Sequence, residues 1–363
     1  MKNKGFTLVE LLAVIAILAL LVIIALPNVL SMFNEAKKDT FLTEAKNIYK
    51  EISKKYITET MRGNKINNIS NDNNKLDLES NNLKYNIELD DFGNIKRFQV
   101  SNGTYCISGK FNNLGELTTD KIKEGECKEI NPKSFSTDSW ETIVEAVKEG
   151  ITSKYKVGDT KTIDLGSYGT HIVRVSNTST PSECSNTGFS QSACGFVLEF
   201  ADIITTHGMN DSDTNIKGFP ASSMHTFLNN DIYNSLPSDL KNIIIDTKII
   251  SSHGSNDTAN FTSTAKLYLL STAEVWAQGS SNAINNDTSR ELTRQLEYYK
   301  EKETTTSNFD AAVKYNGDTE LTWWLRSSNS SNYYSFYSVD SSGDWSSPGA
   351  HIVYGVSPAF RIG

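Results

Sequence analysis

A single carboxylate, Glu10, interrupts an apolar run that extends from Phe6 to Leu26. An ionised acid at membrane depth costs several kcal/mol unless it is paired, so its placement calls for a partner or for access to headgroups. The other residues with chemical potential are scattered. Four cysteines fall into two near pairs, Cys106 with Cys127 and Cys184 with Cys194, and neither has the CxxC spacing of a zinc or redox site. In an exported chain they read as two local disulfides; otherwise they read as four buried thiols. Five histidines, His171, His207, His225, His253 and His351, share no HExxH or paired metal spacing. Asp211-x-Asp213-x-Asn215 opens like a calcium loop but has Ile216 where glycine is needed and Ser222 where the closing glutamate belongs, so a polar turn is the simpler reading. No GxSxG, P-loop or dinucleotide fingerprint appears. These absences lead us to expect no enzymatic activity, no cofactor and no metal.

The elements that carry these residues begin with the apolar run. At ~1.5 Å rise per residue, a helix over Phe6–Leu26 matches the ~30 Å thickness of a bilayer core. Lys2 and Lys4 precede it, which keeps the start cytoplasmic and sends the rest outward. A secretory signal peptide would have a shorter apolar core and a small-residue cleavage site after it, and Leu26-Pro27-Asn28 is a poor one. A plain single-pass anchor fits the length but leaves Glu10 unexplained, except as a carboxylate that snorkels to the headgroups. With 43 acidic against 35 basic residues, a net charge of −8 and pI of about 5.3, the chain lacks the broad basic face that phosphate backbones require. Nucleic acid is therefore disfavoured as a partner.

Gly5-Phe6-Thr7-Leu8-Val9-Glu10 resolves the choice, because it closely resembles the type IV prepilin signature, a short basic leader ending in glycine before Phe-Thr-Leu-x-Glu. The resemblance covers about the first 30 residues. It implies cleavage between Gly5 and Phe6 by a prepilin peptidase, N-methylation of Phe6, and a role for Glu10 in filament assembly, where it meets the Phe6 amine of a neighbouring subunit. The implied partners are other pilin subunits, the peptidase/methyltransferase and the membrane. The implied location is a single pass in the cytoplasmic (inner) membrane before assembly and a cell-surface filament afterwards. Pro27 stands where helices of this family often kink or melt.

Past Pro27 the helix is predicted to continue, with Phe41, Ala45, Ile48, Tyr49, Ile52 and Tyr56 as one apolar stripe for packing a sheet, and to fade by Gly63-Asn64. Residues 64–83 read as a solvated loop. Alternation at Tyr85, Ile87 and Leu89, a turn at Asp91-Phe92-Gly93-Asn94, a strand with Phe98 and Val100, and a hairpin at Asn102-Gly103 predict a small antiparallel meander. A helix packed on such a meander resembles the pilin head plan, and the Cys106–Cys127 loop resembles the disulfide-bounded loop of many pilins.

After Asn131-Pro132-Lys133-Ser134 the spacing predicts a helix capped by Asp138, with Glu141 at its third position, an apolar face of Trp140, Ile143, Val144 and Val147, and an end at Gly150. Strands are expected at His171–Val175, Phe196–Phe200 and Lys266–Leu270, and helical turns at Ser223–Leu228 and Leu236–Ile244. Cys184 and Cys194 would staple a ten-residue, hairpin-like loop between the first two strands. On the strand Trp323-Trp324-Leu325-Arg326 the two indoles point to opposite faces, one for the core and one offering a sugar-stacking surface. Arg326 reads first as a donor to buried carbonyls or a carboxylate; with the two tryptophans it also makes a candidate ligand surface. Gly343 and Gly355 look like turn positions.

The segments Trp323-Trp324-Leu325-Arg326-Ser327 and Gly355-Val356-Ser357-Pro358-Ala359-Phe360 resemble an uncharacterised domain family of Gram-positive surface proteins that ends in a WWLRS…DG…GVxPAF pattern. A looser likeness runs to the C-type lectin-like fold of formylglycine-generating enzyme relatives. The catalytic cysteine pair of those enzymes has no counterpart near the end of this chain.

The expected architecture is therefore α+β: a leader at 1–5, a transmembrane and amphipathic helix at 6–62 packed on a small antiparallel head at 63–130, a linker at 131–137, and a separate α+β, C-type lectin-like surface domain at 138–363. The leading functional expectation is a filament subunit displaying a head that adheres to a glycan or surface protein. The alternatives are a pseudopilin of a type II secretion or DNA-uptake machine, and a surface enzyme tethered by a pilin anchor.

Overall fold

The computed structural model describes residues 8–78, 82–277 and 284–363, and at 21–28 and 30 the backbone alone. The chain forms two compact units, residues 1–129 and 130–363.

The first unit is organised by helix α1 (Leu8–Met61), which runs through position 27 without a break. Its C-terminal half buries Phe41, Ala45, Ile48 and Ile52, spaced four, three and four residues apart, and so presents one stripe to a sheet. The sheet is a five-stranded antiparallel meander of β1 (Asn68–Ser70), β2 (Lys84–Leu89), β3 (Ile95–Ser101), β4 (Tyr105–Gly109) and β5 (Ile122–Glu124), paired in chain order. Tyr85, Ile87 and Leu89 point from β2 into the core, as the period-two alternation predicts.

Both turns are set by side-chain chemistry. The Asp90 carboxylate accepts hydrogen bonds from the backbone N–H groups of Phe92 and Asn94, at 2.9 and 2.8 Å. Gly93 there has φ +83°, and a Cβ would meet the Tyr56 ring. At the next hairpin the Asn102 side-chain oxygen accepts from the N–H groups of Thr104 and Tyr105. The stretch 64–83 is not a plain loop. Ile66, Ile69, Leu76 and Leu83 are buried, and β1 pairs with β2. The Asn- and Asp-rich composition hid these four apolar anchors. Cys106 and Cys127 form a disulfide, which by chain entropy alone contributes roughly 3 kcal/mol.

In the second unit helix α2 (Trp140–Glu149) starts one residue later in the capping sense than its sequence suggests. Ser139 is the N-cap and accepts from Thr142 N–H. Asp138 instead accepts from the Tyr155 hydroxyl and the Lys133 N–H, both at 2.8 Å. Gly150 closes the helix in the left-handed region, as expected. Phe135 is buried among Trp140, Tyr155 and Phe196, so the expected linker 131–137 belongs in part to this unit's core.

Two five-stranded sheets form the body of the second unit. One is ordered Ile244–Ile245, Ala359–Ile362, Val197–Phe200, Thr170–Asn177, Thr160–Asp164. The other is ordered Trp345–Ser346, Phe336–Val339, Trp323–Ser328, Val353–Val356, Thr205–Gly208. The expected strand at Lys266–Leu270 is absent. Only Tyr268 bridges, to Ala359, and the strand lies just before, at Phe261–Ala265, paired with Thr247–Ser251. Gly355 sits within a strand and has no positive φ; it is required because a Cβ would lie 2.8 Å from Ile203. Gly343 does turn, with φ +95°. Cys184 and Cys194 are disulfide-bonded across a loop that contains a short helical turn rather than a hairpin.

Candidate functional site

The N-terminal part of α1 has the composition of a buried element but no cover within its own chain. Leu8, Val9, Leu11, Leu12, Val14, Ile15, Ile17, Leu18 and Leu20 are all exposed, by 46–75%. Successive residues step ~100° around a helix, so these positions cover its whole circumference rather than one stripe. A helix that is apolar all round requires lipid or other helices about it. Glu10 lies near the start of the described part of this helix. Among the described residues no helix is long and apolar enough to cross a membrane. The apolar side chains described, 8–20, span only about 20 Å; the run continues in sequence to Leu26. Gly5 and Phe6, the expected cleavage and methylation positions, lie outside the described residues.

The three residues expected to offer a ligand surface, Trp323, Trp324 and Arg326, are all fully buried, so that reading is corrected. Their strand is central in its sheet and is covered on both faces. The Trp323 indole N–H donates to Ala312 O and that of Trp324 to His207 O, each at 3.0 Å. Arg326 does what its alternative reading required. It donates to the carbonyls of Leu269 (2.8 Å) and Ile250 (3.3 Å) and grips Glu274 with two bonds of 2.6 Å. Glu274 also accepts from Thr293 Oγ1, Ser271 N–H and the Ser192 hydroxyl. Burial alone would raise the Glu274 carboxyl; the Arg326 charge and these donors outweigh it and hold it below the usual range.

A second buried centre lies around Glu199. Its carboxylate accepts from Lys314 (2.7 Å), Arg174 (2.8 Å), Tyr299 Oη (2.9 Å) and Ser176 Oγ (2.7 Å). Burial opposes its charge, but Lys314 and Arg174 pull it down to about 2. A carboxyl depressed in the folded chain contributes stability above its unfolded pKa and loses it as pH falls through the folded one. We therefore expect the second unit's melting temperature to fall as pH drops from about 4.5 toward 2, and Glu199→Gln to flatten that slope. Thermal unfolding at a series of acid pH values checks this; a mutant with the same slope as wild type would contradict it.

Among the large apolar side chains this unit exposes is an adjacent pair of tyrosines. Tyr333 and Tyr334 are 53% and 42% exposed and stand edge to face, ring centres 5.5 Å apart. Their loop is rigidly held from beneath. The buried Asn215 amide donates to the carbonyls of Asn329, Asn332 and Ser335, and its backbone N–H donates to Tyr333 O. Asn332 Oδ1 accepts from Tyr334 N–H and Ser335 N–H. Ala350 N–H donates to Tyr334 O, and the adjacent His351 ring lies 2.6 Å from the Asp213 carboxylate. The Asp213-x-Asn215 motif thus builds a loop, as the polar-turn reading held. A pre-organised tyrosine pair flanked by a carboxylate and an imidazole can stack on a flat ligand and bond to its rim.

The remaining histidine pair, His171 Nδ1 with Asp202 at 3.0 Å, is structural, its Nε2 facing Tyr168 O at 2.8 Å. Among the described residues no serine, threonine or cysteine side chain is hydrogen-bonded to a histidine ring. No cluster of three acidic, histidine or cysteine side chains suited to a metal occurs among them either.

Sequence reasoning missed Glu274, Glu199 and the tyrosine pair. Glu274 carried a readable signal, because Ser271-Thr272-Ala273-Glu274 has capping-box spacing. Glu199, within an apolar strand, and Tyr333-Tyr334, within a Ser/Asn-rich loop, carried none.

Residues 1–26 match the prokaryotic N-terminal methylation motif. The match supports a type IV pilin-like prepilin, a class whose chains meet a prepilin peptidase and other pilin subunits. Residues 196–363, in the second unit, match a domain of unknown function, DUF6273. No curated protein and no solved structure matches the chain.

Proposed function

We propose that this chain is a membrane-anchored, pilin-like subunit that carries residues 130–363 to the cell surface as an adhesive head. The observation that carries the reading is the N-terminal helix, apolar around its full circumference and preceded by the methylation motif. Lipid covers such a helix before assembly, and the equivalent helices of other subunits cover it in a filament. In both settings the first unit's sheet, packed further along α1, stays outside the apolar layer. Two disulfides suit an oxidising exterior. The exposed Tyr333–Tyr334 pair, held on a hydrogen-bonded loop, supports adhesion over a purely structural head, because it offers a fixed aromatic surface for a ligand. We extend the fold reading of the second unit to a C-type lectin-like relationship, on the central Trp-Trp-Leu-Arg strand and the closing Ala359–Ile362 strand.

Filaments sheared from producing cells and labelled with gold-conjugated antibody against residues 130–363 test the proposal. Label along or at the tip of filaments is expected. Label confined to the cell envelope, with bare filaments, would contradict it and favour a secretion or uptake pseudopilus.

A further inference from the structure

A second feature of residues 130–363 is independent of the tyrosine loop. A cleft of about 310 Å³ is lined by Trp276, Arg290, Glu291, Thr293, Arg294 and Lys300 among others. It gathers three cationic side chains against one carboxylate, in a chain whose net charge is −8. Arg290 is 7% exposed and Trp276 fully buried, while Lys300 and Glu291 stand exposed at the rim.

The hydrogen bonding within the cleft is incomplete on the donor side. Arg290 spends Nη1 on Thr272 Oγ1 (2.9 Å) and Nη2 on Trp276 O (3.1 Å), while its Nε–H has no partner. The Trp276 indole N–H has none either. Each buried donor left unmade costs about 1–3 kcal/mol, so a fold that keeps two of them beside a cleft favours a molecule that supplies acceptors.

Among the described residues no carboxylate is hydrogen-bonded to Arg290, although the charges of Asp287 and Glu291 act on it. Of the two, Asp287 is committed elsewhere. Its Oδ1 accepts from the Ser289 N–H and hydroxyl, and its Oδ2 from the hydroxyls of Thr272 and Ser327. It reaches Arg290 only through the Thr272 hydroxyl. Burial pushes the Arg290 guanidinium down, and the charges of Asp287 and Glu291 offset it only in part. Arg326, the other fully buried arginine of the unit, and the half-buried Arg174 each hold a carboxylate directly. The difference is what distinguishes this site from the structural ion pairs.

We propose that this cleft is a binding site for a small oxyanion, the carboxylate of an acidic sugar or a phosphate group. Its oxygens accept from the Arg290 Nε–H and the Trp276 indole N–H, with Arg294 and Lys300 supplying further positive charge. The volume admits a group of monosaccharide size at most. Binding is charge-dependent and weakens with salt at the exposed rim.

The test uses the full chain in detergent and isothermal titration with glucuronate, inorganic phosphate, glycerol phosphate and glucose as the neutral control. Binding of glucuronate or of either phosphate, with glucose silent, is expected, and the arm that responds identifies the acid. Trp276→Phe keeps a ring in the core and removes one donor. Arg294→Gln with Lys300→Gln alters only partly exposed positions, which guards against a folding failure in the buried variant. Each is expected to weaken binding about tenfold or more at an unchanged melting temperature. Equal binding of glucose and glucuronate, no binding of any charged probe at about millimolar concentration, or full affinity in both variants would each overturn the proposal.

Discussion

Glu10→Val leaves the chain inserted in the membrane and removes it from filaments. Insertion survives because replacing an acid by valine in an apolar helix makes transfer to lipid more favourable, by up to about 3 kcal/mol at the bilayer centre and less near its edge, where Glu10 lies. Incorporation fails because the proposed contact is between this carboxylate and the methylated Phe6 amine of a neighbouring subunit, a charge-assisted bond formed where water is scarce. The remaining apolar surface of residues 8–20 supplies cohesion without direction, since leucine packs on leucine in many registers. Glu10→Asp, which keeps the charge and shortens the reach, falls between the two. Fractionation measures insertion, and immunoblots of sheared filaments measure incorporation. Filaments from Glu10→Val cells that contain the chain at the wild-type level would remove the registry role.

The second large effect lies in the head. Glu274→Ala is expected to destabilise it by about 3–5 kcal/mol, because it strands a fully buried guanidinium. For a unit of this size that lowers the melting temperature by roughly 6–20 °C. Arg326→Met does the same from the other side. The double change Glu274→Leu with Arg326→Met recovers part of the loss, since neither member of the pair is then left as an unmatched buried charge. It cannot recover all of it, because the carbonyls of Leu269 and Ile250 lose their donor. A double variant no better than the worse single one, or a single variant within about 1 kcal/mol of wild type, would show that the pair is not what holds Trp323–Ser328 against the segment Leu267–Leu270.

How legible these features were depended on whether the signal was local. The stripe on α1, the Asn102-Gly103 hairpin and the Gly150 cap are set by neighbours within a few residues, and each forms where the sequence places it. The segment Lys266–Leu270 shows the limit. Four apolar residues in a row match a buried strand, and Leu267–Leu270 are indeed buried. Their backbone, however, is satisfied largely by isolated partners: Asn229 Oδ1 accepts from the N–H groups of Lys266 and Leu267, the Arg326 side chain donates to Leu269 O and its backbone N–H to Leu270 O, and only Tyr268 forms a bridge to another backbone segment, at Ala359. Single partners distant in sequence have replaced a ladder, and no window of local sequence contains that information.

The tryptophans fail for a related reason. Alternation places Trp323 and Trp324 on opposite faces, but it cannot reveal that both faces are covered, which follows from the position of their strand third among five. The same non-locality hides the oxyanion cleft. Arg290 reads as an ordinary surface arginine until the fold brings Thr272 and Trp276 to it and leaves its Nε–H facing no acceptor.

Mass spectrometry of the N-terminal peptide from membrane-extracted chain is the most direct trial of the whole account. A peptide that begins at Phe6 and carries one added methyl group on its amine is the predicted result. A peptide that retains Met1, or one that begins beyond Leu26, would mean that the apolar helix is an ordinary anchor or a discarded signal, and the filament reading would fall with it.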